Sequence, residues 1–441
     1  MEKAMPLSWK IDVDWETLDS GPAEERACFA ALGISAHDHW LTEGHDALAS
    51  RLRQKPLLSA YHLAEWAAWN WWRLRWEPRS TAEEWSQSHR VASIGSGYIW
   101  PNLTIFSDGE RTALIAKSTA ERPQTPFRYI IDFAAVVPST DFENGLDEFF
   151  DKVLNRLDSQ HIGPNNFQRI WGSLREERSK PELARLRKLE ALLGCEPDES
   201  DPRILKQLIA AAQEFNLASI EEIAAEHGYG GKVLAVRQLR EIAKQKGYDT
   251  SPGSIVRLNS RDGLPHVGDV AAWRLGAAAA KALREQERLD EQAISDKLLT
   301  RMSGTSENAV EAQNQGADIS FAIDENINTG RTVLRSKWHT GRRFELARLL
   351  GDRVITPSGN RLFPATRSYT YRQKMQRSFA AEFLSPFDAV DEMLAGDYSM
   401  ENQRDVADHF KVSEMTIRTL LVNHNRLERE ELDGDFEVAA A

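Results

Sequence analysis

The chain has 441 residues, 41% of them hydrophobic and 28% charged, an ordinary globular composition with length enough for two or three domains. Two cysteines, Cys28 and Cys195, are too few and too far apart for a disulfide framework or a thiolate metal site. No apolar run reaches the roughly 18 residues of a membrane span, so a cytoplasmic protein with no membrane partner is expected.

The net charge of −12 conceals an asymmetry. Residues 331–377 hold twelve Lys or Arg against Glu345 and Asp352, a net +10 that leaves −22 for the remainder. A basic island in an acidic chain suggests a surface for an anion; the alternative is that its arginines pair with the protein's own carboxylates.

Residues 1–160 read as a Trp-rich α+β domain, with ten of the thirteen tryptophans in the first hundred positions. His62, Trp66, Trp69, Trp72 and Trp76 recur every three to four residues, which predicts one helix over 60–76 with a broad aromatic core face and His62 paired within it. His37, Asp38, His39 and His45 lack the spacing of a closed zinc site, so they read as loop residues and no metal is expected there. Three β-rich runs follow, 102–106, 112–116 and 128–137, with Ser107-Asp108-Gly109-Glu110 as a hairpin turn between the first two. Residues 142–157 then carry Leu146, Phe149, Phe150, Val153, Leu154 and Leu157 in helical register.

Residues 161–247 read as a helical spacer or docking region. Ser179-Lys180-Pro181-Glu182 has the form of a capping box, opening a helix that Gly194 ends. Asp201-Pro202 opens a second helix, Ser219 with Glu222 a third, and 233–244 a basic amphipathic one. Gly230-Gly231-Lys232 lacks both the preceding strand and the spacing of a phosphate loop.

Gly, Ser, Asp and Asn concentrate in 248–265, the expected linker. Beyond it, residues 266–426 are expected to form one domain, with helices over 267–284 and 291–299 and strands over 319–323 and 332–336. A turn at 326–330 joins the strands, and the helix of the basic island comes next. That helix reads Arg342-Arg343-Phe344-Glu345-Leu346-Ala347-Arg348-Leu349-Leu350-Gly351-Asp352, and Phe379-Ala380-Ala381-Glu382-Phe383-Leu384-Ser385-Pro386 follows.

Together these segments resemble the two signature stretches of the ImmA/IrrE family of bacterial metallopeptidases, roughly R-F-T-L-A-H-E-x-G-H and E-A-N-x-F-A-A-E-L-L-x-P. In such enzymes two His at i and i+4 hold zinc, the Glu beside the first activates water, and a carboxylate from a second helix completes the site. Here Arg348 stands for the first His, Leu349 for the Glu, Asp352 for the second His and Met375 for the third ligand. No Asp or Glu lies between Asp352 and Glu382 to replace them.

The resemblance therefore implies a zincin-like (ImmA/IrrE-like) domain without its zinc, with no catalytic residue and no cofactor, in a chain that is α+β and predominantly helical. Members of that family serve bacterial stress responses and the control of mobile elements or phage, often through repressors, so a non-catalytic regulatory protein is implied. Arg342, Arg343, Arg348, Arg353, Arg372, Lys374 and Arg377 are the candidate contacts to a protein partner such as a repressor, or to DNA. A metallopeptidase with relocated ligands, recruiting His339, Asp352 and His409, is the alternative enzyme reading.

Residues 404–421 resemble a helix-turn-helix, with Val406, Ala407 and Phe410, a turn at 411–413, then Ile417, Leu420 and Leu421. In a DNA-binding regulator Thr416, Arg418 and Thr419 would face the groove; the same pattern also fits two helices that only pack. Six carboxylates between Glu428 and Glu437 make 427–441 an acidic tail. Homo-oligomerisation is left open.

Overall fold

The computed structural model describes residues 8–428 except 81, 83, 121–124, 229, 232, 233, 357 and 358. Residues 429 onward of the acidic tail expected at 427–441, and Lys232 of the Gly230-Gly231-Lys232 stretch, lie outside the described residues. Helices and small antiparallel sheets make the fold α+β, and the chain divides into two compact units between Asp201 and Pro202. No described helix is long and apolar enough to cross a membrane.

In the first unit, Trp9–Trp15 pairs antiparallel with Phe29–Ala36, whose other edge takes His39–Trp40 and Leu57–Ser59. The return from Ala36 to His39 puts His37 and Asp38 at φ 46° and 66°, the left-handed pair that a two-residue hairpin requires. The four residues of the His-rich run therefore serve different places. His39 lies against the Phe133 ring at 4.2 Å, and His45 stands on the separate strand Gly44–Asp46.

The hairpin expected at 102–116 forms as Leu103–Ser107 and Arg111–Ala116, Ser107 opposite Thr112, with Gly109 at φ 104° in the turn. The helix Ser139–Ser159 buries Phe142, Leu146, Phe149, Phe150, Val153 and Leu157. Gly145 lets Trp9 lie on that helix, because a Cβ there would sit 2.5 Å from Trp9 Nε1, which donates to Asp141 O at 2.9 Å.

Two local expectations in this unit are corrected. The 60–76 stretch is two helices, Ala60–Trp69 and Trp71–Trp76, interrupted at Asn70, whose side chain donates to Trp66 O. Trp71 and Trp72 are buried in the core with Ala60, Leu63, Ala64, Ala67 and Leu74, Trp66 and Trp76 pack half-buried against it as an aromatic face requires, and Trp69 departs from it at 56% exposed. Ser179 does not cap the following helix because it is still helical itself. It ends Asn166–Ser179 with Oγ donating to Glu176 O, and the capping box is at Asn165 and Gln168.

The second unit carries a four-stranded antiparallel sheet ordered Tyr248–Thr250, Gly330–Val333, Ser320–Asp324, Leu362–Ala365. Its first strand comes from the Gly-rich stretch after residue 247, and its middle pair is the strand pair expected before the island helix. The helices Ala272–Glu287, His339–Ile355 and Tyr371–Leu384 stack through two glycines. A Cβ on Gly276 would lie 2.3 Å from Met375 O, and one on Gly351 2.4 Å from the Phe379 ring.

The helix-turn-helix-like pair, Met400–Phe410 and Glu414–Asn423, adds Val406, Ala407, Phe410, Ile417 and Leu421 to the same core.

Candidate functional site: an arginine-lined cleft

The helix His339–Ile355 exposes one face, Gly341, Phe344, Glu345 and Arg348, to a cavity of about 600 Å³. The spacing of these residues is that of a single helical stripe. Arg335 and Lys337 enter from the segment before the helix, Arg367 and Tyr369 from the loop after Leu362–Ala365, and Arg377 from Tyr371–Leu384. Five cationic side chains and one carboxylate, Glu345, thus share one concave surface.

Arg348 is the centre of this arrangement and is only 6% exposed. Its Nη2 donates to Thr366 O at 2.7 Å, Gln373 Oε1 at 2.6 Å and Gln376 Oε1 at 3.4 Å, all neutral oxygens, and its Nε has no partner. Burial, with the Arg377 charge beside it, pushes the guanidinium down to about 9. Glu345 and Asp352 oppose that shift from positions already engaged. Glu345 accepts Ser336 N–H at 2.9 Å and lies 3.6 Å from Arg335 Nε, while Asp352 receives both Nε and Nη2 of Arg372 at 2.8 and 2.7 Å.

Several cations of the island pair with carboxylates outside it. Arg343 binds Asp296, Arg353 binds Asp324, Arg331 lies 3.1 Å from Asp249, and Arg367 donates to Glu226 at 2.7 Å. Arg342 is spent on Ala309 O and Ser336 O. Among the candidate contacts, the cleft therefore brings together Arg348 and Arg377 and leaves Arg342, Arg343, Arg353 and Arg372 elsewhere; Lys374 is half-buried on the Arg377 helix and does not line it.

The positions matched to the zinc motif do different work. Leu349 is in the core with Phe379, Met375 packs with Ala272, Leu275 and Tyr371, and Asp352 is fully buried on Arg372. His339 sits 2.8 Å from Asp296, and His409 stacks edge-on against Phe410. Among the described residues no three of His, Cys, Asp or Glu gather as a group that could hold a metal.

In the helix-turn-helix-like pair, Thr416 is buried and bonds Ser413, whose Oγ caps the helix; Arg418 is half-buried and Thr419 exposed. Comparison with family models, curated proteins and solved structures finds no match for this chain.

Sequence reasoning misses Arg335, Lys337, Arg367, Trp338 and Tyr369 as site residues, although their charge density and aromatic spacing inside 335–369 are visible. It also misses the strand Leu362–Ala365 and the polar face that supports it. The helix Leu217–Gly228 begins ahead of Ser219, with Asn216 Oδ1 accepting Ser219 N–H, so Ser219 and Glu222 are not its caps. Ser219 Oγ donates to Leu362 O, Glu222 accepts Thr370 Oγ1–H at 2.7 Å, and Glu226 accepts Arg367 N–H at 2.6 Å. Burial pushes the Glu222 carboxyl above its ordinary value, against the pull of Arg372.

Because Asp324 N bonds Arg361 O, the carbonyls of Leu362 and Pro364 face away from the neighbouring strand. They are covered there by Ser219 Oγ and by the Nε2 atoms of Gln373 and Gln376. An extended peptide cannot add to this edge without displacing all three.

Proposed function

We propose that the protein is a non-catalytic, ImmA/IrrE-like regulatory protein of bacterial stress, mobile-element or phage response. It acts by binding an anionic group of a partner in the arginine-lined cleft of its second unit. The observation that carries this reading is Arg348. A buried guanidinium with only neutral acceptors stands where the metallopeptidase motif has its first zinc ligand, and it opens on a cavity with four further cations.

Burying such a charge without a counter-ion costs stability, and an anion in the cleft offsets that cost. The core placement of Leu349 and Met375 and the Asp352–Arg372 pair support the non-catalytic part, since none of them is available to a metal or a water without repacking.

The test is elemental analysis of protein purified without chelator, alongside equilibrium binding of acidic probes to the wild type and to Lys337→Glu. Zinc far below one atom per chain and charge-dependent binding are expected. A zinc ratio near one would remove the reading.

A further inference from the structure

Three features of the cleft restrict what can occupy it. The first is the burial of its floor: the Arg348 guanidinium is 6% exposed, so it favours a small anionic group that enters the cleft over one held on a broad surface. The second is the covered edge of Leu362–Ala365, the strand that leads into Thr366 and Arg367 of the lining, which is closed to an added peptide strand. The third is aromatic. Trp338 is 76% exposed at the cleft, an unusual position for the largest apolar side chain, and the rings of Phe344 and Tyr369 line the same cavity.

Fixed positive charge beside an open aromatic face is the combination that recognises a phosphate joined to a planar base. A volume near 600 Å³ lies within the range of small-molecule sites. The start of the helix at His339, with Gly341 on the cavity wall, adds its dipole to the anion-attracting field.

We infer that the cleft binds a phosphorylated nucleoside, with its phosphate on Arg348, Arg377 and Lys337 and its base on Trp338. This rests on the reading of the cleft as an anion site and adds the ligand's class to it. The ligand is either a free nucleotide or the terminal nucleotide of a single strand, which present the same chemistry.

Isothermal titration of the full chain distinguishes these sources and the cases in which the inference fails. The probes are ATP, GTP, AMP, a 5′-phosphorylated oligonucleotide, inorganic phosphate and a polyglutamate peptide. The proteins are wild type, Trp338→Ala, Lys337→Ala and Arg348→Met; the first two substitutions are at exposed positions, so folding is retained. At least one free nucleotide or the oligonucleotide is expected to bind tenfold or more tightly than inorganic phosphate. Trp338→Ala should remove that advantage while leaving phosphate binding unchanged, and Lys337→Ala and Arg348→Met should weaken both.

Binding of phosphate or polyglutamate with the same Lys337 and Arg348 dependence, but no nucleoside advantage, overturns the nucleoside class and leaves the anion cleft standing. Absence of binding by every probe overturns the inference, and stoichiometric zinc beside it overturns the anion cleft as well.

Discussion

Arg348 and Asp352 are one helical turn apart, yet they carry opposite electrostatic burdens. Asp352 is fully buried against a bidentate arginine, whereas Arg348 has hydrogen bonds but no carboxylate of its own. Asp352→Ala leaves Arg372 without its counter-charge and should cost about 3–5 kcal/mol in urea unfolding. Arg348→Met removes an uncompensated charge but strips three oxygens of a donor, so its net effect should stay within about 1 kcal/mol. If the two variants were equally destabilised, Arg348 would be a structural arginine and the cleft would lose its defining residue.

Glu222 makes a separate prediction at the same scale. Its carboxyl is raised by burial above the ordinary 4.5, so the folded state holds that proton more tightly than the unfolded chain. The stability it contributes is therefore complete below pH 4.5 and is lost as pH rises through the folded value. Glu222→Gln, which keeps the acceptor for Thr370, should raise the thermal midpoint at pH 8, with the gain shrinking toward zero near pH 4. A constant gain across that range would contradict the assignment.

At the scale of elements, the stacked helices of the second unit depend on what two glycines omit. A methyl on Gly276 would meet the carbonyl oxygen of Met375 at 2.3 Å, and one on Gly351 would meet an aromatic ring at 2.4 Å. Backbone yields less than a side chain, so Gly276→Ala should cost more than Gly351→Ala, about 1–3 kcal/mol beyond the gain in helix propensity of about 1 kcal/mol. Thermal denaturation of the two variants ranks them directly.

The same elements show what a sequence reader can see. Long helices with strong periodicity, such as Ser139–Ser159, and the Ser107–Glu110 turn are legible because local spacing determines them. Leu362–Ala365 is not: it is four residues long, contains Pro364, and is a strand only because Ser320–Asp324 pairs with it. The site divides in the same way. The excess of arginine is visible in order along the chain, but which guanidinium meets a carboxylate depends on Asp296, Asp324 and Glu226, up to 141 residues away.

At the scale of the whole molecule, the two units each carry a core of their own: the first from Trp9 to Ala191, the second from Ile255 to Leu421. All four strands of the second unit's sheet, the segments that line the arginine cleft, and the Ser219–Glu222–Glu226 face that holds Leu362–Ala365 and the loop after it, lie after Pro202. A fragment of residues 202–441 should therefore fold alone, with a single cooperative thermal transition and the nucleotide-binding behaviour of the full chain.

A shorter fragment, 266–441, keeps both signature stretches but loses the edge strand Tyr248–Thr250 and the helix Leu217–Gly228. Arg367, Thr370 and Leu362 O would then lose Glu226, Glu222 and Ser219 as partners, and the strand edge would lie open to association. Circular dichroism melts and size-exclusion chromatography of the two fragments should show the longer one monodisperse and cooperative and the shorter one aggregated or molten. Equal behaviour would mean that the cleft does not depend on the helix behind it, and the role given to Ser219, Glu222 and Glu226 would have to be withdrawn.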